Sequence, residues 1–161
     1  MIFINGINDD IDPEVNFQNL EQINNQCQYY SLDQLNKGCV LTYNLTVLNY
    51  NIRSFHRNST QFEALINSLN YPKIFITLTE TWNNVDNLNL CNIEGFVGFH
   101  SYRFNSRGGG VSIFCSNFFN SEKIEDFSFC SETIETCVTK TVINGNSLII
   151  FAIYRPPNSD I

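Results

Sequence analysis

The segment between residues 45 and 80 changes its hydrophobic period twice, and this constrains the fold more than any other feature of the sequence. Its first part alternates apolar and polar side chains, its middle repeats apolar residues at helical spacing, and its last part alternates again. The helical repeat consists of Phe62, Leu65, Ile66 and Leu69. A strand, a helix and a strand with short joints predict two neighbouring strands linked by a crossover.

Local signals place the ends of the predicted helices. Thr60 and Glu63 have the spacing of a capping box, so we expect the crossover helix to begin there and to end before Pro72. Earlier in the chain, the stretch "SLDQLNKG" begins at Ser31 and closes at Gly38, which predicts a short helix.

The later half of the chain carries strand signals instead. The stretch "GGGVSIFCS" predicts a strand entered through glycines, and Asn144-Gly145 lies between two β-rich runs as a hairpin turn does. On the last of these strands Leu148, Ile150, Ala152 and Tyr154 share one face. Helix and strand alternating early, followed by consecutive strands, predict an α+β sandwich rather than a purely parallel α/β sheet.

Composition sets the broad class. The chain has 161 residues, 43% of them hydrophobic, which suffices for one domain. We assign residues 1–28, which are rich in Asn, Asp and Gln, to a mobile polar leader and residues 29–161 to the domain. The sequence contains no apolar run of membrane-spanning length, so we expect no membrane association and an intracellular, soluble protein.

Charge and cysteine usage restrict the partners. The net charge of −7 weighs against nucleic-acid binding, although basic residues gather locally around Arg53 and around Arg103 and Arg107. The six cysteines include no C-x-x-C pair, so buried free thiols are favoured over a zinc site or a set of three disulfides.

Oxygen-bearing side chains lie where two of the predicted strands end. Asn49 and Asn51 share a face at the end of the first strand, and Glu80 follows Ile76 and Leu78 on one face of the next. Mg²⁺ takes oxygen ligands and keeps several waters, so one carboxylate with an amide can hold it. By themselves these residues are more typical of turn formation and of an exposed glutamate than of a metal site.

The order of four phrases adds a resemblance. "LNYNIRSF", "ITLTETW", "RGGGVSIF" and "AIYRPPNSD" occur in this order. Over residues 29–161 the chain resembles the endonuclease/exonuclease/phosphatase superfamily, and within it the endonuclease domain of non-LTR retrotransposon polyproteins. The resemblance implies a four-layer α/β/β/α sandwich that hydrolyses a phosphodiester of DNA with Mg²⁺ or Mn²⁺.

The resemblance also implies roles for individual residues. Glu80 matches the glutamate that ligates the metal, and Asn49 matches an asparagine at the metal and the scissile phosphate. Asn51, Tyr154 and Asn158 match further catalytic positions, Tyr154 as the hydroxyl that hydrogen-bonds the phosphate.

Several other residues match no catalytic position. His56 and His100 are expected to be surface or satisfied histidines, and Trp82 to serve packing. Residues 108–110 precede a strand rather than a helix, so they do not form a P-loop.

Relatives carry further phrases after the strand of Tyr154, namely Gly-Asp-x-Asn and Ser-Asp-His, and neither occurs before Ile161. We therefore expect a truncated sandwich with an open sheet edge, an exposed apolar face and no nuclease activity of its own. Two alternatives stay open: a phosphatase or phosphodiesterase of the same superfamily, and a remnant without a retained role.

Overall fold

A first sheet forms the centre of the protein. The computed structural model describes residues 46–69, 74–104 and 108–157. Four strands, here called sheet A, lie in the order β1-β2-β4-β3, with β1 parallel to β2 and the other neighbours antiparallel. Their bounds are β1 Thr46–Asn51, β2 Ile74–Thr79, β3 Phe96–Ser101 and β4 Val111–Ser116. Helix α1, Phe55–Ser68, connects β1 to β2, which confirms the predicted crossover between neighbouring strands.

A second sheet, sheet B, is built around one long strand. Its strands are β5 Ser121–Lys123, β6 Phe129–Cys130, β7 Glu135–Ile143 and β8 Asn146–Tyr154. β8 pairs along the whole of β7, so β5 and β6 share the other edge of β7. The turn between β7 and β8 is Asn144-Gly145, with φ of 50° and 79°, which confirms the predicted hairpin.

Helix α1 covers one face of sheet A. Its residues Phe62 and Ile66 are buried against Leu48, Ile76 and Leu78 of the sheet, as the helical repeat predicted. Burial of each such side chain stabilises the fold by about 1.5–3 kcal/mol, so the amphipathic face of α1 holds the helix in place.

The predicted start of α1 at Thr60 is wrong. The helix begins at Phe55, and Ser54 at its N-cap makes no side-chain capping hydrogen bond. Tertiary contacts begin the helix earlier: the backbone N–H of Phe55 donates to the carbonyl of Thr81 at 2.8 Å, and the Asn58 side chain donates to the carbonyl of Ile52 at 2.8 Å. A capping-box pattern inside the helix therefore caps nothing.

The other face of sheet A packs on sheet B. Phe75, Ile113 and Cys115 of sheet A meet Cys137 and Ile150 of sheet B in a second buried cluster. The shared face predicted for β8 is confirmed, because Ile150 and Ala152 are buried in this cluster while Leu148 and Tyr154 pack against it.

The described residues thus form three layers: helix, sheet A and sheet B. This confirms an α+β fold with two stacked sheets. The outward face of β8 carries Ile149, Phe151 and Ile153, which are 48%, 55% and 57% exposed. These three side chains form an exposed apolar row on the outer face of sheet B.

Some elements were not predicted, and some predictions fall outside the described residues. The strands β3, β5 and β6 and two 3₁₀ turns, Leu88–Leu90 and Glu125–Phe127, were missed. The assigned leader 1–28 and the short helix predicted from Ser31 lie outside the described ranges.

The four described cysteines are free. Cys91, Cys115 and Cys137 are buried and Cys130 is half-buried, as expected for thiols that pack rather than cross-link. None of the helices within the described ranges is long and apolar enough to cross a membrane.

Candidate metal and phosphate site

A cavity of about 470 Å³ opens where β1, β2 and β8 end. It is lined by Asn51, Arg53, Glu80, Trp82, Tyr154, Arg155 and Pro157. Parallel strands end at the same edge of a sheet, so β1 and β2 bring their last residues together here. The antiparallel hairpin of sheet B brings the end of β8 to the same place, because Tyr154 donates a hydrogen bond to Glu80.

The direction of the Glu80 side chain differs from the prediction. Strict alternation placed it with Ile76 and Leu78, which face α1. Strand β2 ends at Thr79, however, and Glu80 has a left-handed φ of 57°. Its carboxylate therefore reaches sheet B instead of the helix.

Three donors hold the carboxylate of Glu80. The Tyr154 hydroxyl donates to Oε1, while the indole Nε1 of Trp82 at 2.5 Å and the backbone N–H of Gly109 at 3.4 Å donate to Oε2. Burial raises the pKa of Glu80, but these hydrogen bonds and the charge of Arg103 outweigh burial, and the net pKa lies below 4.5. Glu80 is therefore ionised at neutral pH and keeps lone pairs for a further ligand.

Tyr154 stays protonated at neutral pH. Burial raises the pKa of its hydroxyl, and the hydrogen bond to the Glu80 anion raises the pKa further. The hydroxyl is consequently a donor, as a group that contacts a carboxylate or a phosphate oxygen must be.

The two asparagines of the first motif occupy different environments. Asn51 is exposed and lines the cavity. Asn49 is half-buried, is not among the cavity residues, and its Oδ1 accepts a hydrogen bond from the Thr77 hydroxyl at 2.9 Å. The structure thus brings Asn51, Glu80 and Tyr154 together, whereas Asn49 lies two residues earlier on β1 and outside the cavity.

The remaining predicted residues divide into three cases. Asn158 and Arg107 lie outside the described ranges. His56 is exposed, and Nδ1 of His100 lies 2.8 Å from the Ser112 hydroxyl, so the expectation of a surface and a satisfied histidine is confirmed. Burial, and secondarily the charge of Lys123, lowers the pKa of His100 to about 4, so this imidazole is neutral.

Trp82, which was assigned to packing rather than base stacking, is half-buried and also contacts a candidate site residue. Its indole N–H donates to the proposed metal ligand Glu80, and its ring forms part of the cavity wall. The pattern "TETW" places the tryptophan two residues after the glutamate, but nothing in the pattern indicates that the chain turns back on itself there. That turn requires φ of 57° and 58° at Glu80 and Trp82, which local propensity disfavours.

The same kind of backbone occurs across the cavity. Arg53 and Ser54 have φ of 47° and 86°, so four non-glycine residues next to the site adopt left-handed conformations. The backbone N–H of Ser54 donates to the carbonyl of Glu80 at 2.8 Å, and this bond ties the two turns together. Residues held in sparsely populated conformations cluster at functional sites, which supports this edge of sheet A as the candidate site.

Sequence reasoning also missed Glu135 as part of this region. Glu135 is fully buried, and its carboxylate accepts from Arg103 Nε and from the backbone N–H of Gly110. Counting outward from the two-residue turn pairs Glu135 with Tyr154, so the hairpin signal itself could have located Glu135 beside the site.

The donor set fits Mg²⁺. The described residues contain no group of three or more His, Cys, Asp and Glu side chains that could hold a metal. Mg²⁺ needs only one or two carboxylates because it retains water ligands, and Glu80 with the neighbouring Asn51 amide supplies oxygen ligands alone. Zinc, which prefers sulfur and imidazole, finds neither of them among the residues that line this cavity.

A larger cavity, of about 710 Å³, lies beside β3, β5 and β6 and is lined in part by Tyr102, Arg103 and Lys123. Its two cations are paired, Arg103 with Glu135 and Lys123 with Glu125 at 2.8 Å. It contains none of the three residues that donate hydrogen bonds to the Glu80 carboxylate, so the smaller cavity is the better candidate.

Comparison with known proteins adds no identification. The chain matches no model of a known protein family, and no curated protein matches it at a significant level.

Proposed function

We propose that Asn51, Glu80 and Tyr154 form the metal-binding part of a Mg²⁺-dependent DNA endonuclease site of the endonuclease/exonuclease/phosphatase type. The proposal rests mainly on the ionisation and the hydrogen bonding of Glu80. An ionised carboxylate is fixed by three donors at a strand end and opens into a cavity beside an amide. An ordinary surface glutamate has no such set of partners.

The charge of the cavity wall supports a phosphate substrate. Glu80 is the one acidic residue among the seven that line it, while Arg53 and Arg155 are basic. Once a divalent cation neutralises Glu80, the wall carries an excess of positive charge although the whole chain carries −7. Arginine suits phosphate oxygens because its planar group can donate two hydrogen bonds.

The layers support the fold that belongs to this proposal. Helix, sheet A and sheet B supply three layers in the order α/β/β, and the apolar row of Ile149, Phe151 and Ile153 faces away from sheet A. A fourth layer on that face would complete the four-layer α/β/β/α sandwich and bury this row.

The residues have separate tasks in the proposed chemistry. Bound at Glu80, Mg²⁺ would act as a Lewis acid on a phosphate oxygen. Tyr154 holds its proton and orients the Glu80 carboxylate, and Asn51 offers an amide to the metal or to the phosphate. The basic wall holds the backbone of the nucleic acid.

Metal binding can be tested through Trp82. This residue is the single tryptophan of the 161-residue chain, and its indole contacts Glu80. Tb³⁺ bound at Glu80 should therefore luminesce when Trp82 is excited, and Mg²⁺ should displace it. Glu80→Gln should abolish the signal, whereas Glu122→Gln, a charge-matched change at an exposed residue, should retain it. Equal Tb³⁺ signals in the wild type and in Glu80→Gln would refute the proposed metal site.

Substrate class requires a second assay. The full chain and Glu80→Gln are incubated with supercoiled plasmid and, separately, with a phosphomonoester, each with Mg²⁺ or with a chelator. Mg²⁺-dependent nicking that disappears in Glu80→Gln would support the endonuclease and would overturn the expectation that this chain has no nuclease activity of its own. Release of phosphate from the monoester without nicking would favour the phosphatase alternative, and nicking that survives in Glu80→Gln would contradict our assignment.

A further inference from the structure

Glu135 is a buried carboxylate whose position in sheet B relates it to Glu80. It begins β7, has 0% exposure, and is the direct cross-strand partner of Tyr154. Directly opposed residues of an antiparallel pair lie on the same face of the sheet. Glu135 and Tyr154 therefore both point toward sheet A, and Tyr154 contacts Glu80 directly.

The carboxylate of Glu135 holds two donors. One oxygen accepts from Nε of Arg103, and the other accepts from the backbone N–H of Gly110 at 2.5 Å. Both neighbours are donors only, so the site requires a group with two acceptor oxygens. Loss of either donor would leave a buried carboxylate oxygen without a hydrogen bond, and this destabilises the folded protein.

The backbone of Gly109 and Gly110 connects these contacts to Glu80. The N–H of Gly109 points to Glu80 Oε2, while the N–H of Gly110 points to Glu135 Oε2. The carbonyl of Gly109 accepts from the N–H of Trp82 at 2.8 Å. The backbone between the two carboxylates thus has one hydrogen bond to each of them and another to the turn that contains Trp82.

Glycine is required for this close approach. A Cβ added at Gly109 would meet the carboxylate oxygen of Glu135 and would lie 2.7 Å from Nε of Arg103. A Cβ at Gly110 would lie 2.5 Å from the Thr81 hydroxyl. The two glycines also have φ of 66° and 86°, which side-chain-bearing residues rarely adopt.

We propose that Glu135 is a positioning residue for Glu80: through Gly110 and Arg103 it fixes the backbone whose Gly109 N–H holds the Glu80 carboxylate toward the cavity. The inference rests on the proposed metal site at Glu80. Sheet B then fixes both oxygens of the Glu80 carboxylate. Tyr154 donates directly to Oε1, and Glu135 acts indirectly on Oε2 by holding the backbone of Gly109.

Glu135→Gln tests the requirement for two acceptors. The amide keeps the size of the side chain, but its NH₂ group must face a donor, either Arg103 or Gly110. The glycine backbone then moves away and Glu80 loses one of its partners. Loss of an outer partner of a metal ligand weakens metal binding by about 10- to 100-fold, and we expect a loss in this range for Tb³⁺.

The experiment measures Tb³⁺ affinity, through luminescence excited at Trp82, on the full chain and its variants. The matched control is Glu132→Gln, which makes the same chemical change at an exposed glutamate three residues earlier. Urea unfolding followed by circular dichroism fixes conditions in which every variant is folded. We expect an about 10- to 100-fold weaker affinity in Glu135→Gln and wild-type affinity in Glu132→Gln.

The outcomes separate this inference from the proposed function. If the wild type binds Tb³⁺, Glu80→Gln does not, and folded Glu135→Gln binds like the wild type, the positioning role is wrong while the metal site stands. A lower urea midpoint with an unchanged affinity likewise refutes the positioning role, because it shows a purely structural one. If Glu80→Gln binds Tb³⁺ as the wild type does, the proposed metal site itself fails.

A second variant covers the case in which Glu135→Gln does not fold. Glu135→Asp keeps two acceptor oxygens on a side chain that is one methylene shorter, so it can satisfy both donors by drawing the glycine backbone toward sheet B. We expect an affinity between those of the wild type and Glu80→Gln. Wild-type affinity in Glu135→Asp, together with a changed Trp82 emission that shows the backbone has moved, would overturn the proposal.

Discussion

Replacing Gly109 by alanine should destabilise the protein far more than the same change at Gly145. Both glycines have left-handed φ, 66° and 79°, so an alanine at either position carries the same backbone penalty of about 1–2 kcal/mol. They differ in surroundings: no heavy atom lies within 4 Å of a Cβ at Gly145, whereas a Cβ at Gly109 falls between Glu135 and Arg103. The difference between the variants therefore reports the clash alone.

The size of the clash follows from burial. Glu135 has 0% exposure and cannot move into solvent, while the Arg103 side chain is 24% exposed and can swing outward. The added Cβ meets the Glu135 carboxylate first, so relief of the clash shifts this carboxylate and Arg103 apart and breaks a buried ion pair, which costs about 3–5 kcal/mol. We expect Gly109→Ala to lose about 3 kcal/mol more than Gly145→Ala, the lower end of that range because Arg103 is partly solvated.

Urea unfolding followed by Trp82 fluorescence and by circular dichroism measures this difference. With an m-value of about 2 kcal/mol per molar urea, the extra loss lowers the midpoint of Gly109→Ala by about 1.5 M relative to Gly145→Ala. Midpoints that agree within about 0.3 M would refute the reasoning, since they would show that the glycine backbone is not confined between the two carboxylates.

Three further predictions concern single groups. Tyr154→Phe removes the strongest hydrogen bond that lowers the pKa of Glu80, so an acid titration followed by Trp82 fluorescence should show a midpoint below pH 4.5 in the wild type and a higher midpoint in the variant. Because the folded-state pKa of Glu80 is lowered, the contribution of its carboxylate to stability is present above pH 4.5 and is lost as the pH falls below that value. The drop in the urea midpoint on acidification should therefore be smaller in Glu80→Gln than in the wild type. An equal drop in both would contradict a lowered pKa at Glu80. Burial raises the pKa of the Cys91 thiol to about 12, so at pH 8 its alkylation, mapped by mass spectrometry, should be about 1,000-fold slower in the native protein than in urea; rapid native alkylation would show that Cys91 is not packed as described.

The sequence predicts those parts of the fold whose signals are local. Periods of 3.6 and 2 residues identify α1 and its two flanking strands, because burial of one face imposes the period. The Asn144-Gly145 pair identifies the β7–β8 hairpin, because its two left-handed residues suit Asn and Gly. Residue identity at strand ends likewise marks Asn51 and Glu80 as neighbours.

The parts that escape prediction depend on contacts between distant residues. Helix α1 begins at Phe55 because its backbone bonds to Thr81, which is 26 positions later and forms no sequence pattern with it. Glu80 leaves the face predicted by alternation because its partner, Tyr154, lies 74 residues away. Glu135 appears in the sequence as one more polar residue in a strand. Only the stacking of the two sheets makes it a buried hydrogen-bond acceptor for the backbone N–H of Gly110.

The left-handed backbone at Arg53, Ser54, Glu80 and Trp82 has a consequence for directed evolution of this protein. The left-handed backbone conformation of each residue is less favourable by about 1–2 kcal/mol than the same conformation of glycine, which tolerates such φ values without steric cost. Selection of a random library for heat resistance alone should therefore enrich glycine at these positions before most others. The enriched clones would lose the carboxylate and the indole that define the cavity, so a screen for robustness would steadily remove the site and leave the scaffold intact.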